Sequence, residues 1–126
     1  MLPKQYRLKK RSAFQATYKV KNSTHSGGVT LFAGKLKTAV NQQNKDNTFT
    51  PPTKVGFVVS KKVHKRAVKR NRLKRLMRES YRLLLKENDL ANSQKYLSLI
   101  FVASEKLLDK NFDYVKTNIK ILLEKI

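Results

Sequence analysis

The sequence has 126 residues, of which 29 are Lys or Arg and 8 are Asp or Glu, for a formal net charge of +21. This excludes an ordinary acidic or neutral enzyme and points to a polyanionic partner, while 40% apolar residues suit one modest core in a single domain, 1–126. With no Cys and two His, a disulfide scaffold, a thiolate zinc site, thiol catalysis and a histidine-rich metal site all fall away.

In chain order, residues 1–11 are basic, carry Pro3 and read as a flexible extended arm. Ser12 and Gln15 match a capping box, which predicts a short helix to about Val20. Phe14 and Tyr18, four apart, share one face of it. Residues 21–28 are polar and end in the turn signal Gly27-Gly28. Val29–Val40 reads as a long strand bent at Gly34, and 41–53, polar and ending in Pro51-Pro52, as a flexible hairpin loop. Lys54–Ser60 is a second strand.

The main helix is predicted from Arg66 to about Glu87. Leu73, Leu76, Met77, Ser80 and Leu84 fall on one stripe, and Asn71, Arg72, Lys74, Arg75, Arg78 and Arg82 lie opposite. Glu79 sits at the edge of the basic face, within reach of Arg75 or Arg82. Residues 88–95 read as a loop and Tyr96–Ala103 as a buried strand. A last helix starts near Asp109 or Asn111 and sets Phe112, Val115, Ile119, Leu122 and Leu123 on one side. Phe57, Tyr96, Phe101 and Phe112 are assigned to the core. The predicted class is an α+β two-layer sandwich in the order α-β-β-α-β-α. The second strand, main helix and last strand form a βαβ unit. Helices cover one sheet face, the other is partly open and presents Phe32 or its neighbours, and the Phe14/Tyr18 helix packs across the edge of the same layer.

The charge is uneven. Residues 1–78 hold 21 Lys/Arg and one acid, Asp46, whereas 79–126 hold eight bases and seven acids. From Lys61 to Arg78 there are 10 Lys/Arg in 18 residues and no carboxylate. Such a run costs self-repulsion that an anion relieves, and a helix start adds its own partial positive charge. Arg offers planar forks to phosphate and Lys a point charge. The acids are too scattered for a metal-dependent nuclease or a two-carboxylate hydrolase, and no glycine-rich phosphate loop exists. His25 reads as a solvated turn residue. His64 reads as a loop residue whose ring bonds backbone or phosphate. No residue of the chain is assigned as catalytic or as a metal ligand. No apolar run is long enough to span a bilayer and none opens the sequence, so no membrane role and a cytoplasmic location are expected.

Arg70-Asn71-Arg72, with Leu73-Lys74-Arg75 and Arg78-Glu79 after it, resembles the signature of the bacterial ribonuclease P protein subunit family. Val58-Val59-Ser60-Lys61-Lys62 before it, and Tyr6-Arg7-Leu8-Lys9-Lys10 with Phe14-Gln15 and Tyr18, resemble the family too, although Tyr18 stands where Phe is commoner. The resemblance covers nearly the whole chain. It implies a subunit of an endoribonuclease whose catalyst is a large RNA. That holoenzyme hydrolyses the 5′ leader from precursor tRNA with Mg²⁺ held through the RNA, and the protein alone binds no cofactor. The implied fold is the ribosomal protein S5 domain 2-like class with a left-handed βαβ crossover, and the protein is expected to be monomeric. Catalytic-RNA contact is then expected from Lys62, Arg66, Lys69, Arg70, Asn71, Arg72, Lys74, Arg75 and Arg78. The leader cleft is expected from Phe14, Tyr18 and Phe32, on which single-stranded bases stack, together with Lys61. A non-catalytic ribosomal or RNA-chaperone protein could share the composition, and only the joint motif argues against it. A DNA-binding helix module and a membrane-surface helix are weaker alternatives, because strands flank the basic helix.

Overall fold

Two consecutive glycines decide how the sheet begins. Gly27 and Gly28 both have positive φ, 55° and 95°, as a two-residue hairpin turn requires. A Cβ on Gly27 would also collide with the Asn118 side chain. The turn joins strand β1 (Asn22–Ser26) to strand β2 (Val29–Ala33), with Ser26 opposite Val29 and Asn22 opposite Ala33. Residues 21–28, read from sequence as a polar stretch ending in a turn signal and not as a strand, are therefore mostly strand. Their polarity fits an edge strand exposed along most of its length. The structure, a computed structural model, describes residues 4–35, 53–87 and 96–126. Strand β2 ends sooner than expected, although Gly34 N–H still donates to Ser98 O and Leu97 N–H to Lys35 O, both at 2.8 Å. Positions 36–40 of the expected strand, loop residues 41–52 and the loop at 88–95 lie outside the described residues.

Strand β4 (Ser98–Ala103) runs antiparallel to β2 and parallel to strand β3 (Lys54–Val58), giving the order β1-β2-β4-β3. Helix α2 (Ala67–Lys86) joins the parallel pair β3 and β4. With helices α1 (Arg11–Lys19) and α3 (Phe112–Lys125), the described order is α-β-β-β-α-β-α, one strand more than the sequence suggested. The class is mixed α+β.

Alternation along the strands divides the sheet. Val29, Leu31, Ala33, Val55, Leu99, Phe101 and Ala103 form one face and share the core with α2 and α3. Leu73, Met77, Ser80 and Leu84 of α2 are buried as the helical stripe demands, and so is Tyr81, which the stripe omitted. Tyr81 and Phe57 cluster on Phe101, with ring centroids 6.0 and 5.6 Å away. Asn111 caps α3 by accepting from Tyr114 N–H at 3.0 Å. Val115, Ile119, Leu122 and Leu123 then fill the core, while Phe112 is half-buried.

Helix α1 departs from expectation twice. It begins at Arg11 with Lys10 at the N-cap and no side-chain cap, so Ser12 lies inside the first turn and the capping box does not form. It also packs across the middle of the sheet on the face away from α2 and α3. Ser98 Oγ and Thr17 Oγ1 bond there at 2.6 Å. Thr17 gives its only proton to Ala13 O, so Ser98 is the donor between the two hydroxyls.

Candidate nucleic-acid interface

Register sets the aromatic surface. Phe32, Ile100 and Gly56 lie in one row across β2, β4 and β3, on the face that α1 crosses. At one end of the row Tyr18 meets Phe32 edge to face, with centroids 4.9 Å apart and planes at 79°. At the other end Phe14 lies over Gly56, where the missing side chain leaves room for its ring. All three rings keep some exposure, with Tyr18 at 37%. Partial burial pushes the Tyr18 phenol above its ordinary pKa.

The segment after β3 explains the presentation of charge. Val59 and Val63 are buried, which leaves Lys61, Lys62 and Lys65 exposed around them. Val63 N–H closes the turn on Ser60 O at 3.1 Å. His64 Nδ1 accepts from Arg66 N–H at 3.0 Å, and Arg70 Nη1 donates to the carbonyls of His64 at 3.0 Å and Lys65 at 2.8 Å. His64 and Arg70 thus hold the turn on the first coils of α2. Arg70 is half-buried in this bracing role. Arg66, Lys69, Asn71, Arg72 and Arg75 are exposed, and Arg72 reaches Leu108 O only at 3.5 Å. The first turn of α2 has no acid and no side-chain cap, so its N-terminus adds positive field. Glu79 closes the basic stretch by accepting from Arg82 Nε at 3.0 Å. That bond to Arg82 holds the Glu79 carboxyl below the usual range.

The two surfaces meet at the arm. Leu8 N–H donates to Val55 O at 2.9 Å and Arg7 bridges Val55, so residues 7 and 8 lie along the β3 edge. Between arm and α2 is a cavity of about 250 Å³ lined by Arg7, Lys9, Phe14, Gly56, Lys74 and Arg78 among others. Lys74 and Arg78, grouped by sequence with the rest of the basic helix face, thus share a cavity with Phe14. Lys61, Tyr18 and Phe32 do not line it. Neither Gly56 nor Arg7 is assigned to the site from sequence, although Arg7 stands in the basic opening motif. A glycine inside an otherwise apolar strand was the available signal for Gly56. Among the described residues no group of three His, Cys, Asp or Glu is placed to hold a metal ion, and no helix is long and apolar enough to cross a membrane.

Comparison with known proteins gives one answer. The family model described as Ribonuclease P matches residues 2–126. A "Ribonuclease P protein component" of Synechococcus sp. (strain JA-2-3B'a(2-13)) is 33% identical over 125 residues, covering 99% of this chain and 84% of that protein. One from Alkaliphilus oremlandii (strain OhILAs) is 36% identical over 120 residues, covering 95% and 90%. The RNase P protein of Staphylococcus aureus superposes with a TM-score of 0.70 at 24% identity, over 97% of this chain and 95% of that one. The Thermotoga maritima RNase P protein gives 0.70 at 22%, over 95% and 96%. The fold agrees with these structures, and the match along nearly the whole sequence assigns the chain to the ribonuclease P protein family.

Proposed function

We propose that this chain is the protein subunit of a ribonuclease P holoenzyme, in which it binds the catalytic RNA and the 5′ leader of precursor tRNA. The observation that carries this reading is the cavity where Phe14 and Gly56 meet Lys74 and Arg78. A stacking surface beside phosphate-binding cations is what a single strand needs. The exposed cations Lys62, Arg66, Lys69, Arg72 and Arg75, with Asn71, take the catalytic RNA, and Arg70 fixes the turn that presents them. Phe14, Tyr18 and Phe32 take leader bases. Lys74 and Arg78 neutralise leader phosphates, and Lys61 flanks the same strand. Under this reading the fold is of the ribosomal protein S5 domain 2-like class with a left-handed β3–α2–β4 crossover, and the protein is a cytoplasmic monomer.

The family implies Mg²⁺, but the described side chains supply no cluster suited to it, so no step here runs through a protein-bound ion. Mg²⁺ is assigned to the RNA partner, and with it the centre of endonucleolytic cleavage. The chain's own part is to bind and orient. Leader-bearing precursor and mature tRNA, titrated against the RNA with and without this protein, test the reading. The protein tightens binding of the precursor and not of the mature tRNA. Equal tightening of both contradicts leader binding.

A further inference from the structure

Helix α2 begins with a mismatch that one residue resolves. Its N-cap is Arg66, whose side chain makes no capping bond. In a capping box the residue three places on reaches back to the N-cap N–H, but here that residue is Lys69, a cation without an acceptor. The N–H of Arg66 is satisfied instead by His64 Nδ1, at 3.0 Å. A carboxylate in that place would accept the same bond. It would also set a negative charge in the run Lys61, Lys62, Lys65 and Arg66, on the surface proposed above to meet the catalytic RNA. An imidazole accepts the bond without that charge.

The same bond fixes the ring. An Nδ1 that accepts carries a lone pair, so the ring is neutral and its proton sits on Nε2. The main chain is held as well. The His64 carbonyl accepts from Arg70 Nη1 at 3.0 Å, and the preceding residue, Val63, is buried. His64 itself is half-buried, and its Nε2 has no partner among the described residues while keeping contact with solvent. The ring thus presents one uncharged donor in a set orientation, and its chain neighbours Lys65 and Arg66 are both exposed cations.

We propose that His64 Nε2–H donates to a phosphate oxygen of the catalytic RNA, in an orientation fixed by the bond from Arg66 N–H to Nδ1. This deepens the catalytic-RNA reading above and rests on it. The contact carries no charge, so it adds affinity without displacing counterions, unlike the Arg and Lys contacts around it.

Two substitutions divide the ring's two bonds. His64→Asn sets an amide oxygen where Nδ1 stands and keeps an acceptor for Arg66 N–H, but has no atom at the place of Nε2. His64→Gln brings its amide to the place of Nε2 and gives up the acceptor. A bacterial ribonuclease P RNA is titrated with each full-length protein over a range of salt, and thermal unfolding is followed alongside. His64→Asn should unfold as the wild type does, bind the RNA about tenfold more weakly and keep the wild-type salt slope. His64→Gln should unfold at a lower temperature and yet bind more tightly than His64→Asn. A purely structural histidine gives the reverse order, with the less stable variant binding worse, and that order overturns the proposal. So does wild-type affinity in His64→Asn, which leaves the catalytic-RNA reading standing. A salt slope lowered by about 1 in His64→Asn would show a charged contact and overturn the neutral donor. Nitrogen-15 shifts of the ring in the free protein should place the proton on Nε2, and a proton on Nδ1 overturns the fixed orientation. If the wild type itself does not bind the RNA, the underlying reading fails first.

Discussion

The ring of Phe14 lies where a side chain on residue 56 would have to begin. A Cβ built on Gly56 would stand 2.6 Å from both Cε1 and Cζ of that ring. One glycine in β3 therefore sets how closely α1 approaches the sheet at this end, and with it the depth of the cleft. Gly56→Ala must push the ring out or tilt the helix. We expect a loss of about 1–3 kcal/mol in urea unfolding, the usual cost of overpacking. Unchanged stability would mean that α1 does not depend on this contact.

Arg70 and Arg75 should separate cleanly although they belong to one basic run. Arg70 donates to two carbonyls of the preceding turn, whereas Arg75 is exposed. Arg70→Ala should cost about 1–2 kcal/mol of stability. Arg75→Ala should leave stability alone and lower the salt slope of catalytic-RNA binding by about 1. Denaturant titration and binding at several salt concentrations read the two effects. The opposite pattern would reverse the roles.

On the proposed reading Tyr18 offers a ring for stacking, to which its hydroxyl is incidental. Tyr18→Ala should weaken leader-bearing precursor and spare mature tRNA, while Tyr18→Phe should keep wild-type affinity for both. Base stacking of about 1–3 kcal/mol sets the scale of the Ala effect. If Phe behaves like Ala, a hydrogen bond rather than stacking carries the contact.

Lys21 follows α1 with φ at 59°, in the left-handed region that favours glycine, and its N–H bonds Tyr18 O. Lys21→Gly should raise stability by about 0.5–1 kcal/mol, read as a higher urea midpoint. A lower midpoint would show that the lysine side chain contributes a contact worth more than the backbone relief.

Periodicity made the core legible. The stripe through Leu73, Met77, Ser80 and Leu84 placed α2, and the apolar runs placed β3 and β4, because burial on one face or both imposes a pattern on sequence. Strand β1 left no such trace. Asn22–Ser26 is polar because an edge strand under little cover need not alternate, and only the Gly27-Gly28 turn hinted at a hairpin. Ser12 misled because the capping-box spacing fits just as well within the first turn of a helix that starts at Arg11. Side-chain type marked the aromatic and basic candidates. Their division did not follow from type, because whether Lys74 and Arg78 join Phe14 depends on how the arm, β3 and α2 meet, which is a tertiary fact.

The central claim is that this chain serves a catalytic RNA rather than cleaving RNA itself. Precursor-tRNA cleavage by a bacterial ribonuclease P RNA at low, near-physiological Mg²⁺ tests it most directly, with protein alone and an unrelated basic protein as controls. The account predicts correct 5′ ends only when the RNA and this protein are both present. Cleavage by the protein alone, or stimulation no greater than the basic control gives, would contradict it.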